Sequence, residues 1–172
     1  ILTGRQFVTE LCKEYNSTYV VTVDKLYRRS LFEGIRYPDG RINEDEAVIH
    51  RITHKCNKIV FTSKAYYFYR QQPSSIMNNS VSAKRFDSIY ADIDRLTLLK
   101  ENNYDFDTVM DCMLFMYNDF VTTLKAIDLS APTSKPIAKK IHKIVKPYIK
   151  ELIKWDGTTK KQKRSMRIIA FN

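Results

Sequence analysis

The sequence predicts an α+β chain that is predominantly helical, and three observations carry that prediction. Several long stretches repeat apolar residues at helical spacing. Two short runs, residues 58–62 and 65–70, are instead rich in β-branched and aromatic side chains and predict strands. Only four Gly and five Pro are present, too few turn residues for an all-β fold.

Taken in order, residues 4–15 place Phe7, Val8, Leu11 and Cys12 on one helical face. A second helix is expected over 24–33, with Asp24 as its N-cap and Gly34 as its terminator. Pro38-Asp39-Gly40 is a turn, because proline presets φ and glycine permits a positive one. A third helix is expected to start at Asn43, an N-cap with Glu46 three residues later in a capping-box pattern, and to end near Cys56. The two predicted strands follow, and Pro73-Ser74-Ser75 ends the second. Phe86, Ile89, Tyr90, Ile93 and Leu96 then mark a helix over 84–100. Another begins at Phe106 and runs to Leu124, and the short Asn102-Asn103 link makes the two antiparallel neighbours.

The last predicted helix begins near Ser134, with Pro136 in its first turn and a kink expected at Pro147. Its apolar side carries Ile137, Ile141, Ile144, Val145, Tyr148, Ile149 and Leu152. Lys139, Lys140, Lys143, Lys146, Lys150 and Lys154 fall on the other side. The composition changes near residues 78–82, which divides the chain into a mixed portion, 1–80, and a helical portion, 81–172.

A hydrophobic content of 44%, with eleven Tyr and nine Phe, supports a real core and argues against disorder. No charged segment followed by an apolar run marks a signal peptide, and no apolar stretch reaches membrane-spanning length. Cys12, Cys56 and Cys112 are odd in number and widely spaced, as expected of reduced thiols in a cytoplasmic protein and not of a disulfide framework or zinc site. Residues 1–134 carry equal numbers of basic and acidic side chains, so the net charge of +10 belongs entirely to residues 135–172.

Asn43-Glu44-Asp45-Glu46 crowds three acids into one helix start, where the macrodipole favours them. Its context adds meaning. Residues 25–48, KLYRRSLFEGIRYPDGRINEDEAV, resemble the family 2 glycosyltransferase pattern of a Lys-Leu-Tyr segment, an aromatic-Pro-x-Gly turn and a Glu-Asp pair. Tyr66-Tyr67-Phe68-Tyr69-Arg70, with Ser75-Ile76 soon after, resembles the strand that follows in that family. The likeness covers residues 1–78. Val23-Asp24 departs from it, since an aromatic residue usually precedes the Lys-Leu-Tyr segment.

The resemblance implies the acceptor-side part of a GT-A type catalytic domain, with an incomplete sheet and without the preceding nucleotide-sugar-binding half. It implies inverting transfer from a nucleotide-sugar, in bacterial surface polysaccharide or glycoconjugate synthesis. Asp45 would be the general base, flanked by Glu44. Lys25, Arg70 and Ser75 would hold the leaving diphosphate or an acceptor phosphate. A Mn²⁺ or Mg²⁺ ion is expected in the full-length enzyme and not on this chain, which alone is expected to be inactive. The acceptor is expected to be lipid-linked, and exposed apolar surface is expected where the missing half would pack, coverable by a homodimer.

Two Asp-x-Asp triplets, Asp92-Ile93-Asp94 and Asp105-Phe106-Asp107, follow the Glu-Asp pair, the wrong order for that family's metal motif. They predict solvated acids on one helix and a cap on the next. His50 and His54 share a helix face without the glutamate of a zinc-protease motif, which predicts a solvated or partly buried face.

The basic tail, continuing through Lys160-Lys161-Gln162-Lys163-Arg164, has two readings. Its apolar stripe could enter an anionic membrane surface at the inner face of the cell, or pack on the preceding helices with the lysines in water. A basic helical nucleic-acid-binding or protein-interaction module is the alternative function. No nucleic-acid motif accompanies the charge, so nucleic acid is not the expected partner.

Overall fold

In a computed structural model, residues 1–13, 17–70 and 82–171 are described. Among them are seven α-helices: α1 (Gly4–Lys13), α2 (Ser17–Val20), α3 (Glu46–His54), α4 (Asp87–Glu101), α5 (Phe106–Ala126), α6 (Ser134–Lys154) and α7 (Lys160–Phe171). No helix is long and apolar enough to cross a membrane among these residues.

The main core lies where α4, α5 and α6 meet and is filled by Phe86, Leu96, Met113, Phe120, Ile141 and Ile149. The α4–α5 reversal is tight because Asn103 takes a left-handed conformation, φ 51°. The Asn102 and Tyr104 N–H groups then bond back to Leu98 O and Leu99 O, at 3.1 and 3.0 Å. Asp105 caps α5 by accepting from the Thr108 N–H at 2.8 Å, as its position at a helix start predicted.

Helix α1 serves two cores at once. Val8 and Cys12 join the main cluster, while Phe7 and Leu11 pack with Val20 and Ile49. The α1–α3 contact is close because Gly4 has no Cβ. An added methyl there would lie 2.2 Å from Thr53 O and 2.6 Å from Cys56 O, both backbone atoms. Helices on both sides of residue 80 therefore pack together, α1 and α3 against α4 and α5.

Several expected elements differ. Residues 24–33 form only a 3-10 turn, Arg29–Phe32, in place of a helix. Asp24 has φ 59°, a left-handed conformation from which the chain does not enter a right-handed helix, so it does not start one. Asn43, at φ 57°, likewise fails to cap α3; Asp45 does so instead, accepting from the Glu46 N–H at 2.9 Å. The capping box is not formed, because Glu46 turns inward.

The two expected strands, 58–62 and 65–70, are absent among the described residues. A single antiparallel bridge pairs Leu2 with Ile59, through bonds of 2.9 and 2.7 Å. β-branched runs favour extended backbone, but a strand persists only if its N–H and C=O groups find a ladder, and none is present here. Val60, Phe61, Tyr66, Tyr67, Phe68 and Tyr69 are consequently exposed, Phe68 at 88%. The expected break at Pro73-Ser74-Ser75 lies outside the described residues.

Past Trp155 the chain is not merely a basic tail. It forms α7, whose Met166 and Ala170 are fully buried against α6. Tyr117 Oη donates to Ser165 Oγ at 2.9 Å, and His142 Nε2 bonds Ile169 O at 2.8 Å. Helix α6 runs unbroken through Pro147, which is exposed. Of its apolar side, Ile141, Val145, Ile149 and Leu152 are 0% exposed, Ile144 and Tyr148 are half-buried against the core, and Ile137 in the first turn is exposed. The apolar side therefore packs on the bundle, and the lysines are left facing outward.

Candidate functional site around Asp45

The segment leading into α3 is held from several directions. The Asp87 carboxylate, at the start of α4, accepts from the Ile42 N–H at 3.2 Å. Arg36 closes its own turn by donating to Phe32 O and Ile35 O, at 3.0 and 2.7 Å. Lys55 Nζ donates to Glu33 O at 2.7 Å. Gly40 takes φ 72° in the Pro38-Asp39-Gly40 turn, the conformation its sequence anticipates.

This framework sets Asp45 half-buried at the N-terminus of α3. Burial pushes its carboxyl above the ordinary range, and neighbouring Glu44 and Glu46 add to that. The bond from the Glu46 N–H opposes it. Glu44 itself is exposed. Tyr27 and Tyr37 feel the charge of Asp45, and burial raises both phenols, Tyr27 strongly. Phe32 stands between the two tyrosines, 5.5 Å from Tyr27 edge-on and 6.3 Å from Tyr37. Tyr37 remains 37% exposed and the turn around it faces solvent. The result is an aromatic wall whose two phenols feel the charge of a carboxylate of heightened basicity.

Lys25 is part of the same neighbourhood. Its ammonium donates to Thr18 O at 2.7 Å and to Val21 O, tying down the end of α2. Burial lowers its pKa, against the pull of Asp24 and Asp45. Arg70 is exposed at the end of the extended segment, and Ser75 lies outside the described residues. Lys139, Lys140, Lys143 and Lys150 are exposed and Lys146 is half-buried, all on α6.

The acids expected to be solvated on α4 are not. Asp92 is 1% exposed and Asp94 half-buried, because α3 packs over them. Arg95, itself 1% exposed, donates to Glu46 Oε2 at 2.5 Å, to Asp92 Oδ1 at 3.4 Å and to Leu11 O at 3.5 Å. Burial drives Asp92 well above the ordinary carboxylate range although Arg95 pulls it down. Asp94 accepts from His50 Nε2 at 2.7 Å and pairs with Arg51. Burial opposes its ionisation, but these donors hold it well below the usual range. His54 bonds Tyr104 Oη at 2.9 Å and Asn102 Oδ1 at 3.1 Å. The histidine face is thus packed against α4.

Tyr27, Tyr37 and Arg95 are the residues that sequence reasoning left out of the site. The tyrosines had a signal, since both stand in the stretch 25–48. Arg95 had none, because nothing local distinguishes a buried arginine from a solvated one.

No three His, Cys, Asp or Glu side chains converge to hold a metal ion among the described residues. A depression of about 400 Å³ between α3 and α4, lined by Arg51, His54, Asp94 and Glu101, does not include Asp45.

Over 62 residues the chain is 36% identical to the glycosyltransferase GlyG of Streptococcus pneumoniae serotype 4 (strain ATCC BAA-334 / TIGR4). That match covers 36% of this chain and 21% of that protein, so the chain spans about a fifth of its relative's length. No protein-family profile matches the chain, and no solved structure gives a significant match. The partial likeness supports a glycosyltransferase-related role.

Proposed function

We propose that this chain is the acceptor-side, C-terminal part of an inverting glycosyltransferase of the family 2, GT-A type. It would act in bacterial surface polysaccharide or glycoconjugate synthesis on a nucleotide-sugar and an acceptor that is lipid-linked. The observation that carries the reading is Asp45: half-buried at a helix N-terminus, raised in basicity, with a charge that Tyr27, Tyr37 and Lys25 feel. The partial likeness to a named glycosyltransferase supports it.

Asp45 takes the proton of the acceptor hydroxyl while the hydroxyl oxygen attacks the anomeric carbon. The new C–O bond forms as the bond to the nucleoside diphosphate breaks, and the diphosphate leaves with the electron pair. A carboxylate of raised pKa suits this step, because the hydroxyl becomes acidic only as it bonds. Glu44 adds negative charge beside the base. The aromatic wall offers the sugar ring an apolar face. Arg70 and Ser75 steady the diphosphate or an acceptor phosphate, and Lys25 does so on exchanging its carbonyl partners for phosphate oxygens. In this reading the Mn²⁺ or Mg²⁺ ion and the nucleotide are held by residues outside this chain.

The test is sugar transfer by the protein joined to its nucleotide-binding portion. Asp45→Asn is expected to lower turnover by about two to four orders of magnitude. Its effect on stability should run the other way. Burial raises the folded-state pKa of Asp45 above its unfolded value, so the ionised carboxylate costs stability at neutral pH. The amide of the variant removes that cost and still offers an oxygen to the helix start, so the unfolding midpoint should hold or rise. The acid limb of kcat/KM should fall as pH drops through a value above the ordinary carboxylate range. Full turnover by Asp45→Asn would remove Asp45 from the mechanism.

A further inference from the structure

We propose that the outer face of α6 is an electrostatic docking surface for an anionic phospholipid membrane, on which the bundle rests without inserting. The apolar stripe of this helix is already committed: Ile141, Val145, Ile149 and Leu152 are fully buried in the bundle core. Lys139, Lys143, Lys146, Lys150 and Lys154 recur at intervals of four, three, four and four residues. At about 100° per residue that spacing keeps them on one line, opposite the buried stripe. Helix α6 has 21 residues, about 30 Å of length at the usual rise, and Glu151 is its sole acid. None of the five lysines has an acidic partner among the described residues. Helix α7 adds exposed Lys160, Lys161, Arg164 and Arg167.

The field of the whole chain points the same way. Residues 1–134 are electrically balanced, so the entire net charge of +10 resides in the α6–α7 end. Such a polarised distribution orients a protein against a charged plane. A flat anionic surface fits this face better than nucleic acid does. The charges form a straight row of lysine point charges on the outside of a bundle, not a groove, and no aromatic side chain lies in the row to stack on bases. Insertion has little to work with, since among the described side chains of this region the exposed large apolar ones are Ile137 and Ile168. The proposal rests on charge placement alone and stands or falls independently of the role of Asp45.

Co-sedimentation of the 172-residue chain with vesicles tests it, using pure phosphatidylcholine against vesicles with about one-third phosphatidylglycerol. Binding is expected only to the anionic vesicles, and it should be lost at high salt. Each lysine neutralised should weaken partitioning about fivefold, so Lys139→Gln, Lys143→Gln and Lys150→Gln together should weaken it about a hundredfold. The matching Lys→Arg triple should bind as the wild type does, which separates lost charge from lost folding. The same charge removed at Lys55, Lys84 and Lys100 should leave binding nearly unchanged. Binding to neutral vesicles, retention at high salt, equal loss from the control triple, or tighter binding to duplex DNA than to anionic vesicles would each overturn the proposal.

Discussion

At the scale of residues, the telling group is Arg95. It is buried among Glu46, Asp92 and the end of α1, and its guanidinium stands in for solvent to two carboxylates. Glu46 directly follows Asp45, so this pairing from α4 also fixes the start of the helix that presents the candidate base. Arg95→Met would leave Glu46 and Asp92 buried without a counter-charge and should cost about 3–5 kcal/mol. Urea unfolding of the variant checks this, and an unchanged midpoint would show that the network contributes no net stability. The acidic pair Glu44-Asp45 was legible in the sequence because it stands in one short patterned stretch, whereas Tyr27 and Tyr37, in the same stretch, were not singled out by it. Arg95 was not, because burial of a charge is decided by what folds over it.

At the scale of elements, helices with an apolar stripe formed where the sequence placed them. Helix α4 occupies Asp87–Glu101 against an expected 84–100, and α5 Phe106–Ala126 against an expected start at Phe106. Periodicity suffices there because each helix satisfies its own backbone groups. The segments 24–33, 58–62 and 65–70 went otherwise, since a helix start needs the right φ and a strand needs a neighbour. The α1–α3 contact depends on one missing atom. Gly4→Ala would press a methyl into the Thr53 and Cys56 carbonyls and should destabilise by about 1–3 kcal/mol as the helices move apart. Thermal unfolding measures it, and wild-type stability would mean that α1 can shift freely.

At the scale of the whole molecule, the described chain is a helical bundle with an exposed aromatic segment at one place and a basic face at another. Residues 58–70 lie outside any helix or ladder, with Lys64 and Arg70 exposed. Brief trypsin treatment should therefore cut at Lys64 or Arg70 before it cuts within α4, α5 or α6, as mass spectrometry of the first fragments would reveal. First cleavage inside the bundle would mean that the aromatic segment is covered, for instance by a homodimer.

The order of side chains by itself determined the helical stripes, the Asp105 cap, the Gly40 turn and the concentration of charge in the last 38 residues, since each depends on neighbours a few positions away. Tertiary structure alone decided that Asp92 and Asp94 are packed acids, that 58–70 has no ladder, and that the apolar side of α6 is spent on the core. Those outcomes depend on which distant surface arrives to exclude water or to offer a hydrogen bond, and no local spacing encodes that.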